Sequence, residues 1–276
     1  MHVDVSELRD FYATPLGQVV RRLVMPRIRS RWTSVRGETI VGLGYAVPYL
    51  GSLRRDEARV AALMPASQGA VVWPRQGGVL TALVEEDRLP LGDTSVDKLL
   101  VVHALECAER IRPLLREMWR VLAPAGSLII IVPNRRGLWA RLDTTPFGQG
   151  RPFSRRQIVQ LLEEAMFTPV GSTSALFLPP FDHRLLVRSA VAWERLGARV
   201  TPGFAGLLIV EARKEMIATV GKAARVRSVQ GVVAAAGSRL SRHDVRQNPG
   251  SADVSAAGAT GTPPSRRTGS ADGSSS

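Results

Sequence analysis

A chain of 276 residues, 45% hydrophobic with mean hydropathy +0.01, has room for one large α/β domain or two small ones and fits a soluble globular protein. Its single cysteine, Cys107, excludes an internal disulfide and a cysteine-rich metal site. The net charge of +13 is almost wholly arginine, since only Lys98, Lys214 and Lys222 are lysines.

In chain order, Asp4 to Tyr12 and Leu16 to Arg31 read as helices, the second strongly basic. A short strand from Thr39 to Val41 runs into Gly42-x-Gly44-x-Ala46, with Pro48 where a helix would be under way. Arg59 to Met64, Val79 to Val84 and Asp97 to His103 read as further strands. Ile111 to Leu122 is an amphipathic helix, with Leu114, Leu115, Met118, Val121 and Leu122 on one face and Arg116, Glu117 and Arg120 on the other. Ala123-Pro124-Ala125-Gly126 stops it, and Ser127 to Val132 is a buried strand. Ser154 and Gln157 have the spacing of a capping box at a helix start. Gly206 to Ala212 is a last strand. Strands spaced by helices imply right-handed crossovers and a mainly parallel sheet covered on both faces.

These elements divide the chain into an N-terminal helical segment, 1–36, an α/β domain, 37–215, and a basic, largely disordered tail, 216–276. From about Gly250 the tail is small and polar and cannot bury enough surface to offset its ordering entropy. No basic run is interleaved with aromatic residues as a stacking platform for nucleic acid requires. The arginine excess, which accompanies alanine, glycine and valine, is therefore read as compositional rather than as nucleic-acid binding. The apolar run Leu128–Val132 is too short to span a bilayer, and the first residues carry no basic-then-apolar leader, so a cytoplasmic protein is expected.

The segment from Leu89 to Asn134 carries Leu89-Pro90, Asp97, Leu105-Glu106, Arg120-Val121-Leu122-x-Pro124-x-Gly126 and the strand SLIIIV in that order. It resembles the central portion of class I S-adenosylmethionine-dependent methyltransferases. The resemblance covers roughly Glu38 to Arg213 and implies a Rossmann-like sheet of seven strands, parallel except for the last in the chain, with helices on both faces. It also implies that Gly42, Gly44, Tyr45 and Ala46 form the turn under the methionine part of S-adenosylmethionine. Small residues there let backbone approach ligand, and glycine is free to take positive φ. A dinucleotide site would need glycine or alanine at 47, where Val47 stands, and a ribose-binding acid about twenty residues on.

Two acids usual in the family are absent: Ile40 stands two positions before the first glycine, and Met64 and Pro65 stand where the ribose-binding acid ends the second strand. A charge-assisted bond of that kind is worth about 1.5–3 kcal/mol, so its loss costs binding about tenfold or more. The adenine-contacting acid is matched by Glu85, with Asp87 next. His103, at the end of the fourth strand, faces the cofactor crevice of the family fold, which makes it a cofactor-binding and candidate catalytic residue; His183 is a second candidate base. The loop from Pro133 to Gln157 follows the fifth strand and combines Arg135, Arg136, Arg141 and Arg151 with Trp139, Phe147 and Phe153. It is expected to close on the site, with Arg135, Arg136, Trp139, Phe147 and Arg151 receiving a small-molecule substrate. Asp10-Phe11-Tyr12 and Trp32 form a second candidate lid. The implied activity is methyl transfer to a small molecule. The alternative is a methyltransferase-fold protein that binds or regulates without catalysing, and a protein partner or a homodimer fits either.

Overall fold

The computed structural model describes residues 3–181, 189–200 and 202–215. In chain order these form α1 (Val5–Ala13), α2 (Pro15–Arg31), β1 (Thr39–Gly44), α3 (Val47–Arg55), β2 (Arg59–Pro65), β3 (Thr81–Val84), β4 (Val96–Val102), α4 (Ile111–Val121), β5 (Leu122–Pro133), α5 (Arg155–Glu164), β6 (Phe167–Ala175), α6 (Ala190–Val200) and β7 (Leu207–Lys214). His183 and the expected tail, 216–276, lie outside the described residues. Among the described residues no helix is long and apolar enough to cross a membrane.

The seven strands form one sheet in the order β3-β2-β1-β4-β5-β7-β6. β1, β2, β3, β4 and β5 pair in parallel, and β7 is antiparallel to both of its neighbours. The alternating residues of the central strands fill two cores. Leu100, Val102, Ile129 and Ile131 face α1, α2 and α3, whereas Leu99, Val101, Leu128 and Ile130 face α4 and α5. Each of these strand residues is essentially fully buried, which explains why SLIIIV reads as continuously apolar rather than alternating.

Three elements escape the sequence pattern. α3 is only nine residues long and carries Pro48 in its first turn, where a missing N–H costs nothing. β6 contains Pro169 and Gly171, and its pairing with β7 shifts register between them; both residues are poor strand formers. α6 has exposed Val191, Leu196 and Val200, which blurs its helical stripe. Elsewhere the helix starts follow local chemistry. Asp4 caps α1 by accepting from Ser6 N, and Ser154 with Gln157 forms the expected reciprocal capping box on α5.

The Arg-Val-Leu-x-Pro-x-Gly motif has a structural job here. Arg120 donates to the carbonyls of Leu89 and Leu91 and to the carboxylates of Asp93 and Glu117, while Glu117 accepts from Leu89 N. One guanidinium thus ties α4 to the segment that leads into β4. Asp97 accepts from Thr39 N at 2.8 Å and aligns the starts of β4 and β1.

Candidate functional site

Strand order reverses between β1 and β4, so their carboxyl ends, Gly44 and Val102, border the crevice where open α/β sheets bind ligands. Gly44 has φ +78°, and a Cβ on it would lie 2.2 Å from Val102 O. Only glycine satisfies both conditions. A Cβ on Gly42 would meet Ala46 Cβ at 2.6 Å and Leu50 Cδ1 at 2.8 Å, so small residues at 42 and 46 let β1 and α3 close on each other. Tyr45 N donates to Val102 O at 2.8 Å, so its amide is committed to the protein, and its buried ring packs against Tyr12.

His103 follows directly. Its φ of +54° is a left-handed backbone at a non-glycine residue, the kind of strain that concentrates at ligand sites. Its imidazole is completely buried. Tyr12 of α1 reaches it there, and Tyr49 of α3 reaches Tyr12: Tyr12 Oη lies 3.1 Å from His103 Nε2 and 3.3 Å from Tyr49 Oη. On the other side of the ring, Nδ1 stands 3.4 Å from Oε1 of Glu106, an ion-pair rather than a hydrogen-bond geometry. Both Glu106 carboxyl oxygens are buried with no hydrogen-bond partner among the described residues. Phe147 packs on the imidazole with centroids 4.4 Å apart, and Tyr45 lies 5.6 Å from Tyr12. The chain has three tyrosines, Tyr12, Tyr45 and Tyr49, and all three converge here. Burial pushes the Tyr12 and Tyr49 hydroxyls up and that of Tyr45 to about 12, so all are neutral phenols at neutral pH. A proton on Nδ1 faces Glu106 and leaves Nε2 to accept from Tyr12.

α1 lies across this edge of the sheet. Its first turn rests on the loop after β2, where Val5 N donates to Gln68 O, and its last turn delivers Tyr12. Gln68 in turn donates through Nε2 to His103 O at 2.5 Å. Of the expected second lid, Phe11 and Tyr12 take part, with Phe11 edge-on to Phe147 at 6.0 Å. Trp32 does not: it is buried beside Lys98 near the amino end of β4, on the opposite edge.

Past β2, the Glu85–Asp87 turn faces Ala66, Ser67, Glu109 and Arg110 across a cleft of about 110 Å³. Glu85 and Asp87 are exposed, and Asp87 pairs with Arg110. Met64, in the place of the ribose-binding acid, is buried with its Sδ accepting from Val71 N. The polar side chain that the cleft offers at that end is Ser67.

The loop after β5 differs from its expectation. Trp139 is buried, with Nε1 donating to Leu178 O at 2.8 Å, and Phe147 is buried against His103 and Trp139. These aromatics are core, fixed by short 3-10 turns at Leu138–Ala140 and Pro146–Gly148, rather than the wall of an open substrate site. The arginines separate. Arg136 lines a groove of about 570 Å³ with Arg155 and Arg156. Arg135 and Arg151 line another of about 320 Å³ with Phe153, and Arg135 donates to Pro152 O. The five residues assigned to one substrate site therefore stand in three places, and only Phe147 touches the crevice. Tyr49, Gln68 and the orientation of Glu106 were not foreseen; the convergence of the three tyrosines is a signal only the fold supplies.

Residues 41–130 match the family described as "Methyltransferase domain". Among curated proteins no sequence matches the chain. Among solved structures, the fold is similar to a Thermotoga maritima S-adenosylmethionine-dependent methyltransferase described as a possible histamine N-methyltransferase. That likeness has TM-score 0.56 and 16% identity, over 76% of this chain and 96% of that one. It is also similar to a Haloferax volcanii putative methyltransferase solved with the Trm112 activator (TM-score 0.55, 18% identity, 76% and 97% covered) and to an Archaeoglobus fulgidus S-adenosylmethionine-dependent methyltransferase (0.51, 15%, 70% and 94%). Residues 41–130 thus match a methyltransferase-domain family, and the chain shares its fold with S-adenosylmethionine-dependent methyltransferases.

Proposed function

We propose that this domain transfers a methyl group from S-adenosylmethionine to a small molecule in the crevice over Gly44 and Val102. The observation that carries the reading is the turn itself: a positive-φ glycine packed on the end of β4 at the point where strand order reverses, with an acidic turn two strands away at the end of β3. When bound, S-adenosylmethionine supplies an electrophilic methyl group on a sulfonium. Glu85 would accept from the adenine amino group, Ser67 would meet the ribose in place of a carboxylate, and the Tyr45 ring would wall the crevice. The acidic cleft, at about 110 Å³, is below the roughly 300 Å³ of a complete small-molecule site, so it accounts for one end of the ligand. The remaining room is made by displacing the Tyr12 side chain from above the turn. His103, aligned by Glu106, is placed to take a proton from an acceptor that carries one.

Calorimetric titration with S-adenosylmethionine and S-adenosylhomocysteine tests the reading. Micromolar binding, weakened about tenfold in Glu85→Ala, is the expected result. A second reading is favoured by Met64: without a ribose acceptor, the fold would be retained for binding a partner rather than for catalysis. Absence of binding by either ligand at millimolar concentration would select it.

A further inference from the structure

Tyr12 is an unusual core residue. It brings a phenol from a nine-residue helix into a box made by Phe11, Tyr45, Tyr49 and His103, with ring centroids at 5.2, 5.6, 6.2 and 5.8 Å. Its hydroxyl reaches a buried imidazole whose far nitrogen faces a carboxyl with no hydrogen-bond partner among the described residues. A core needs none of this: an apolar side chain would fill the same box without burying an imidazole and a carboxyl, each of which costs stability unless paired. The box instead has the composition of a receptor for a hydroxylated aromatic ring. Aromatic edges and faces surround the ring, and a base stands at its oxygen.

We infer that Tyr12 occupies the acceptor subsite as the chain's own phenol, and that the molecule this domain acts on is a hydroxylated aromatic whose hydroxyl replaces Tyr12 Oη on His103 Nε2. The inference names the substrate class for the transferase reading and rests on that reading for its chemistry, though not for the binding. A nitrogen acceptor with a free lone pair needs no base, whereas a hydroxyl must lose a proton to become a good nucleophile. In the proposed step the substrate O–H bond breaks, a new N–H bond forms at His103 Nε2, and the electron pair stays on the substrate oxygen. Glu106 balances the charge gained by the imidazole. His103 is then the group in contact with substrate, and Glu106 is a positioning residue that acts through it.

The test uses the full chain without cofactor, so that its outcome is separate from that of the S-adenosylmethionine titration. Tyr12→Ala is titrated with p-cresol and with toluene, which differ only in the hydroxyl. The expected result is that p-cresol binds about tenfold tighter, and that the preference disappears when His103→Asn is added. Equal binding of the two probes would overturn the proposal. Wild-type protein provides a second measurement should Tyr12→Ala fail to fold: amide hydrogen exchange of α1 with and without p-cresol. Faster exchange of α1 amides on adding p-cresol supports displacement of Tyr12. Unchanged exchange at millimolar p-cresol identifies Tyr12 as a fixed core residue and overturns the inference, whatever the variant does.

Discussion

Gly44 and Cys107 make opposite statements about single residues. Gly44 is constrained by backbone alone: with φ +78° and Val102 O 2.2 Å from any Cβ, Gly44→Ala has to bear both strain and collision. We expect it to destabilise the fold by about 1–3 kcal/mol or more, read as a lower urea midpoint at unchanged slope. Its loss of ligand binding would therefore say nothing specific about the ligand, which is why Glu85, exposed and on a turn, is the better probe. Cys107 stands next to Glu106 yet is inert by the same burial that shapes the site. Burial pushes its thiol up to about 12, so little thiolate exists at pH 8. Labelling with a chromogenic disulfide at that pH is expected to be slow in the native protein and immediate in denaturant. The glycine spacing was legible in the sequence because it encodes a backbone demand that does not depend on distant residues. The Tyr12–His103 contact was not, since it joins positions 91 residues apart and exists only once β4 and α1 have been brought together.

At the scale of elements, the clearest dependence is that of α4 on Arg120. The guanidinium makes bonds to two carbonyls and two carboxylates, a planar fork that lysine cannot reproduce. Those partners hold its charge firmly, raising its pKa still further. Arg120→Ala is expected to cost about 1–3 kcal/mol in equilibrium denaturation, with Arg120→Lys recovering only part of it. Most helices and strands were readable because each carries a period: α4 shows a stripe of Leu114, Leu115 and Met118, and β5 an unbroken apolar run. The loop after β5 misled for a physical reason. Its aromatics and arginines have the composition of a binding wall, but Trp139 and Phe147 are large apolar surfaces that the core takes first, and the arginines are left to face solvent in separate grooves.

For the whole molecule, burial of three phenols and a thiol predicts the behaviour in alkali. Tyr12, Tyr45, Tyr49 and Cys107 all have raised pKa values in the folded protein, chiefly from desolvation. The unfolded chain loses these protons first, from about pH 9 for the thiol and about pH 10 for the phenols. Above that point the folded state holds more protons than the unfolded one, so stability falls as pH rises. The stabilising contribution is complete below about pH 9 and is lost progressively towards pH 12, a slope that denaturation midpoints measured across this range should display. A rise or a flat profile would mean that these side chains are hydrated rather than sealed. The sheet as a whole was readable because alternation of strand and helix leaves few topologies. β6 and α3 escaped because Pro169, Gly171 and Pro48 are residues that local pattern counts against regular structure and that long-range pairing overrides.

Thr14 is the residue between α1 and α2 and serves both. Its hydroxyl donates to Phe11 O at 2.7 Å and accepts from Gly17 N at 3.0 Å, and its own backbone is extended. A Cβ on Gly17 would lie 2.1 Å from Phe11 O, so the corner admits no slack. α2 beyond it is pinned by Arg27 to Glu194 and by Arg31 to Glu211. If α1 swings to carry Tyr12 out of the crevice, it turns about one joint set on a fixed post. Such a motion breaks the two bonds from Thr14 to Phe11 O and the one from Gln18 Nε2 to Tyr12 O, and keeps the one to Gly17. The proposed doorway would then swing at a single corner residue rather than on a length of loose chain.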